Sequence, residues 1–170
     1  GGHPLRGWRI WLKEKLQAKG FHVFIPFMPN SEHPQQHEWL HHLSQIVKTT
    51  GENDYFIGHS LGCVTILRYL ETLPADTKVA KVILVAPFWG DLNEPDLKTF
   101  YENDLDWNKI KKMAKFTCIF SDNDKWVKLE NEKIFKEKLG AETIVLSNMG
   151  HFSSEENCNE LPILLTEFNE

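Results

Sequence analysis

Between an apolar run at Tyr55 to Ile57 and an amphipathic stretch from Cys63 to Leu73 stands the sequence Gly58-His59-Ser60-Leu61-Gly62. A Gly-x-Ser-x-Gly between a strand-like and a helix-like segment calls for a sharp strand-to-helix turn. The serine then sits at a strained bend with its hydroxyl projecting from the end of a sheet. Close packing around such a bend is expected to leave no room for side chains at Gly58 and Gly62. The helix that follows aims its first N–H groups at the serine, which makes the Leu61 N–H a candidate oxyanion donor. The competing reading is a structural turn, since glycine and serine are common. The flanking pattern of strand and helix favours a nucleophile.

A serine nucleophile needs a base, and the base needs an orienting acid. In a strand–turn–helix architecture the chain order is Ser, Asp or Glu, then His. Downstream of Ser60 there is one histidine, His151, in Gly150-His151-Phe152 after the strand-like Thr143 to Ser147. The acid should follow the strand-like Phe116 to Phe120, where Ser121-Asp122-Asn123-Asp124 offers two aspartates. Asp124 opens an Asp-x-x-Val pattern into the next helical segment. Asp122 lies nearer the strand end and could instead bond its own loop backbone, as Asx turns do.

The rest of the chain alternates in the same way. Helices are expected at Leu5 to Lys19, Gln36 to Thr50, Leu61 to Leu73, Lys109 to Ala114, Leu129 to Leu139 and Leu161 to Phe168. Strands are expected at Phe21 to Phe27, Tyr55 to Ile57, Val79 to Val85, Phe116 to Phe120 and Thr143 to Leu146. Alternating strands and helices predict an α/β fold, a doubly wound and mostly parallel sheet with helices on both faces. At 170 residues, with no linker and no internal repeat, one domain spanning 1–170 is expected.

Taken together, several features resemble the small single-domain α/β-hydrolase family represented by retinoblastoma-binding protein 9 and the YdeN-type serine hydrolases. They are Trp8 with Trp11-Leu12-Lys13, Met28-Pro29-Asn30, Trp39-Leu40, Gly58 to Gly62, Ala86-Pro87, Trp107 to Lys111, Asp124, and Gly150-His151-Phe152. The resemblance covers nearly the whole chain, and it rests on order and spacing more than on any one motif. It implies an α/β-hydrolase core with no large lid and a Ser60–Asp124–His151 triad. In that family a first strand ends in a glycine-rich turn whose backbone supplies part of the oxyanion hole. This chain starts inside that turn, at Gly1-Gly2-His3-Pro4. The second oxyanion donor is therefore expected from this turn, with Gly2 as the candidate, or from residues just upstream of it. About ten further residues, a strand and a start, are expected before Gly1, because an empty slot beside the nucleophile strand would leave backbone groups unpaired.

These residues together predict a serine hydrolase, esterase-like, that cleaves small ester or related acyl substrates through an acyl-enzyme. No cofactor is required. Phe88, Trp89, Trp107, Trp126 and Phe152 follow strand ends, where ligands bind in open α/β sheets, and are the candidate substrate pocket. Core and loop packing is the competing role for each. His33, His37, His41 and His42 have a spacing that could suit a metal, but no acidic or cysteine ligand accompanies them, so no metal site is expected.

A net charge of −5 with no basic cluster argues against nucleic-acid binding. No apolar run approaches the ~20 residues needed to span a bilayer. Three cysteines without regular spacing suggest free thiols in a reducing, cytoplasmic compartment. Two alternative functions fit the same residues. One is a non-catalytic protein-interaction module on a hydrolase scaffold. The Leu-x-Cys-x-Glu pattern that binds retinoblastoma-type pocket proteins is not matched, since Leu61-Gly62-Cys63-Val64 continues with Thr65. The other is acyl transfer or peptide cleavage by the same triad.

Overall fold

The computed structural model describes residues 5–90 and 92–168. Four strands form one parallel sheet in the order β1 (Tyr55–His59), β2 (Lys81–Val85), β3 (Lys115–Ser121) and β4 (Glu142–Leu146). Tyr55 is in register with Lys81, Val82 with Phe116, and Thr117 with Glu142. All four strands therefore end on the same side, and the loops that leave those ends share one rim of the molecule.

Helices α1 (Trp8–Ala18), α2 (Gln36–Val47), α3 (Leu61–Thr72), α4 (Lys98–Tyr101), α5 (Trp107–Ile110), α6 (Asn131–Leu139) and α7 (Ile163–Thr166) surround the sheet. Strand β2 reads Lys-Val-Ile-Leu-Val, a nearly unbroken apolar run, because both of its faces are covered. Val82 and Leu84 point into a core with α3, α5 and α6, joined by Phe56, Cys118 and Phe120. Ile83 and Val85 point the other way, into a core with Trp8, Leu12 and Leu16 of α1 and Leu164 of α7. Two apolar layers on opposite faces make the doubly wound α/β architecture. No described helix is long and apolar enough to cross a membrane.

One expected element is not a strand. Phe21 to Phe27 joins no ladder among the described residues. Burial alternates from Phe21 to Ile25 and the alternation stops at Pro26. A strand, however, is made by its pairing partner, and β1 is bonded only to β2 in the described sheet. Pro26 also removes a backbone donor. Phe21 packs its ring against Tyr55 and Phe168, while Phe24 is 78% exposed. The strand expected upstream of Gly1 lies outside the described residues.

Where α7 meets the sheet, a buried polar cluster replaces apolar packing. Lys81 Nζ lies 2.9 Å from Glu167 Oε2, and the Thr117 hydroxyl donates to the same oxygen at 2.6 Å. This cluster ties the C-terminal turn to β2 and β3 at the end of the sheet opposite the strand-end loops.

Candidate active site

At the C-terminal end of β1 the chain bends into α3 at Ser60, with φ 52° and ψ −120°. A positive φ is uncommon for a residue with a side chain, and such a conformation costs of order 1–3 kcal/mol. Neighbouring bonds hold it. The Ser60 N–H donates to Val85 O at 2.9 Å, and Ser60 O accepts from the Cys63 N–H at 2.9 Å. Gly58 is required by space: a Cβ there would lie 2.8 Å from the backbone of Cys63. Gly62 is not, since a Cβ there would meet nothing within 4 Å. The expectation that crowding forces both glycines therefore holds for one of them. Gly62 is the second residue of α3 and faces open space. Leu61 begins α3, so its N–H is among the first-turn donors that intrahelical bonds leave over.

The loop after β3 places its polar residues against the loop after β4. His151 Nδ1 lies 2.8 Å from Asp124 Oδ2. The other Asp124 oxygen accepts from the N–H groups of Trp126 at 2.8 Å and Val127 at 3.0 Å. Burial pushes the Asp124 carboxyl upward, but the hydrogen bonds from His151 and these two amides outweigh it, and its pKa lies below the ordinary value. The other aspartate has different work. Asp122 Oδ1 accepts from the Asn148 N–H at 2.8 Å, a loop-holding bond. The hydroxyl of Ser60 makes no hydrogen bond to His151 among the described residues. The two residues are nonetheless brought together at one rim, since the ring of His59, next to Ser60 in the chain, lies 5.0 Å from that of His151.

The candidate pocket residues do not share one wall. Phe88 and Phe152 are sealed in the α1-side core. Trp107 is buried on the opposite face of the sheet, edge-on to Trp89 at 5.1 Å and to Phe135 at 6.1 Å. Trp89 lies beneath the Arg68 guanidinium, 5.1 Å away. Trp126, beside Asp124, is 57% exposed. Large rings that follow different strands are drawn to whichever core is nearest, because burying them gains more than lining a shared cleft. Gly2, the candidate second oxyanion donor, lies outside the described residues.

Sequence reasoning did not find the side chains that hold the histidine loop. Ser121 Oγ accepts from the Met149 N–H at 3.0 Å, Asn123 Oδ1 from the Gly150 N–H at 2.8 Å, and Glu156 Oε2 from the His151 N–H at 2.7 Å. The signals were present in part. Ser and Asn after a strand are residues that bond nearby backbone, and Ser153-x-x-Glu156 reads as a capping box, which it also forms.

Comparisons with known proteins place the chain in a family. The sequence profile of the serine hydrolase family matches residues 2–170. The chain belongs to that family. It is therefore a hydrolase, and its fold is the α/β-hydrolase fold. It is 35% identical over 159 residues to YdeN of Bacillus subtilis, covering 92% of this chain and 84% of YdeN. To the serine hydrolase RBBP9 of Rattus norvegicus it is 26% identical over 160 residues, covering 92% of this chain and 83% of that protein. The crystal structure of the Bacillus subtilis ydeN gene product superposes with a TM-score of 0.88 at 33% identity, covering 98% of this chain and 93% of that one.

Two predictions concern this serine hydrolase's site as a folded object. Gly58→Ala forces a backbone clash and should cost at least the ~1–3 kcal/mol of overpacking, whereas Gly62→Ala should change stability by no more than about 0.5 kcal/mol. Chemical denaturation of both variants checks this, and equal losses would contradict it. The second prediction is set by His59. Burial, first, and then the neighbouring His151 and Arg9 lower its pKa from 6.5 to about 3. Between those values the unfolded chain binds a proton that the folded protein refuses, so stability rises with pH across that window. The stabilisation is complete above about 6.5 and is lost as pH falls toward 3. Asp124, with its pKa lowered from 3.8, contributes only at the acid end of this range. The melting temperature should therefore fall from about pH 7 to about pH 4.5, and His59→Gln should flatten that slope. An unchanged slope in the variant would contradict the assignment.

Proposed function

We propose that the protein cleaves small ester or related acyl substrates through a Ser60–His151–Asp124 triad and a covalent acyl-enzyme, within one α/β-hydrolase domain. The observation that carries this reading is the Asp124–His151 hydrogen bond of 2.8 Å at the same rim as the strained turn of Ser60. Fixing His151 Nδ1 on a carboxylate leaves Nε2 as the nitrogen that faces a proton donor. Asp124 is the orienting acid in this reading because its carboxylate is the one bonded to the imidazole, while Asp122 is spent on Asn148.

The steps follow from these roles. His151 Nε2 takes the hydroxyl proton as Ser60 Oγ attacks the acyl carbonyl carbon. Asp124 stabilises the imidazolium that results. The Leu61 N–H donates to the oxyanion, and the N-terminal end of α3 favours negative charge there. Collapse of the tetrahedral intermediate breaks the bond to the leaving group, which receives the proton from His151. Water, deprotonated by His151, then attacks the acyl-enzyme and frees Ser60. The alcohol and acid products account for every atom, and the cycle needs no cofactor. The missing Ser60–His151 bond is compatible with this role, because catalytic hydrogen bonds are often long before substrate binds.

Exposed Trp126 lies beside Asp124 and offers the substrate an apolar edge at the rim. Such an open site suits small or flexible acyl groups. Turnover of short acyl p-nitrophenyl esters tests the proposal. Ser60→Ala should reduce it to the uncatalysed background, and Asp124→Asn should reduce it about 10⁴-fold, while Asp122→Asn leaves it nearly unchanged. Retained turnover in pure Ser60→Ala protein would remove the serine from the nucleophile role. A severe Asp122→Asn paired with a mild Asp124→Asn would reassign the acid.

A further inference from the structure

The loop that presents His151 has no ladder of its own. Asn148, Gly150 and Phe152 all take positive φ, at 60°, 55° and 54°. So irregular a backbone keeps one shape only if its polar groups are held from outside. Its N–H groups are held by Asp122, Ser121, Asn123 and Glu156, as described above. Its carbonyls are held from the opposite side. The Trp8 Nε1–H donates to Phe152 O at 3.1 Å, and His59 Nε2 lies 2.7 Å from His151 O.

The second of these bonds fixes the chemistry of His59. A carbonyl only accepts, so Nε2 carries the proton and donates. Arg9 NH1 lies 3.3 Å from His59 Nδ1. A guanidinium only donates, so Nδ1 must be the lone pair that accepts. Arg9 on one side and the His151 carbonyl on the other thus select one neutral tautomer. The depressed pKa of His59 agrees with that state.

We infer that Arg9 and His59 form a positioning relay that sets the orientation of the His151 imidazole by gripping its backbone carbonyl. The inference rests on the triad reading of His151. Asp124 holds the ring at Nδ1, and His59 holds the main chain from which that ring is hung. With both ends fixed, Nε2 has one direction left to face. The hydrogen bonds of His59 go to Arg9 and to the His151 carbonyl, so its effect is exerted through His151.

Two substitutions separate hydrogen bonding from packing. His59→Phe fills the space beside Trp8, whose ring meets that of His59 edge-on at 6.0 Å, but offers no donor. His59→Gln keeps an N–H donor and an accepting oxygen. Turnover of a short acyl p-nitrophenyl ester is measured for both, together with the proton resonance of His151 Nδ1–H. His59→Phe should lower kcat about 10²-fold with KM held within about two-fold, since small misplacement of a reacting group costs about that much. It should also broaden or shift the His151 resonance. His59→Gln should recover both, to within about five-fold in kcat. The relay is overturned if His59→Phe matches the wild type in kcat and resonance, or if the glutamine variant is as impaired as the phenylalanine one. Failure of the triad reading looks different: the wild type would neither turn over esters nor take a fluorophosphonate label at Ser60. The His151 resonance would in that case still report whether His59 holds the loop.

Discussion

At Ser60 the backbone leaves β1 with a positive φ and within one residue is helical. That bend is costly by itself, and the surrounding structure exists in the form that tolerates it. Val85 O on the neighbouring strand takes the serine amide, and the Cys63 thiol donates to the same carbonyl at 3.3 Å. Gly58 lets α3 approach β1 closely enough for the turn to close. Because β1 and β2 are parallel and in register, Val85 stands directly across from His59 and beside the bend. The parallel sheet is therefore what brings the strained serine and the loops after β3 and β4 to one rim.

The second constraint is the division of labour among the residues after β3. Ser121, Asp122, Asn123 and Asp124 are four consecutive polar residues, and each reaches toward the loop of His151. Three of them satisfy main-chain N–H groups at Asn148, Met149 and Gly150. The fourth takes the imidazole. An irregular loop carrying a histidine is given a single shape by spending nearly all the polar atoms of its neighbour on it. A half-buried N–H left without a partner costs about 1–3 kcal/mol, which is why the Met149 and Gly150 amides are met by Ser121 and Asn123.

Much of this was legible in the sequence, for particular reasons. The elbow was readable because glycine at 58 and a serine between strand and helix reflect local sterics. His151 stood out as the candidate base because one histidine follows Ser60, and the fold sets it against Asp124. The choice between Asp122 and Asp124 was harder, since both sit within hydrogen-bonding reach of the same loop and only the folded register separates them. Phe21 to Phe27 has the apolar composition of a strand, but pairing is a property of its neighbour and cannot be read from the segment. The aromatic residues were misleading as a group: Phe88 and Trp107 follow the right strands yet fall on opposite faces of the sheet. Arg9 and His59 were invisible as partners because they lie 50 residues apart and meet only through the tertiary fold.

The central claim is that Ser60, His151 and Asp124 act as one unit, with the Leu61 N–H beside them. A crystal structure of the protein after reaction with an organophosphate tests this most directly. The account predicts phosphorus bonded to Ser60 Oγ, the phosphoryl oxygen accepting from the Leu61 N–H, and His151 Nε2 within hydrogen-bonding distance of the adduct while Nδ1 stays on Asp124. An intact elbow with Ser60 unmodified, or an adduct on a different residue, would contradict it.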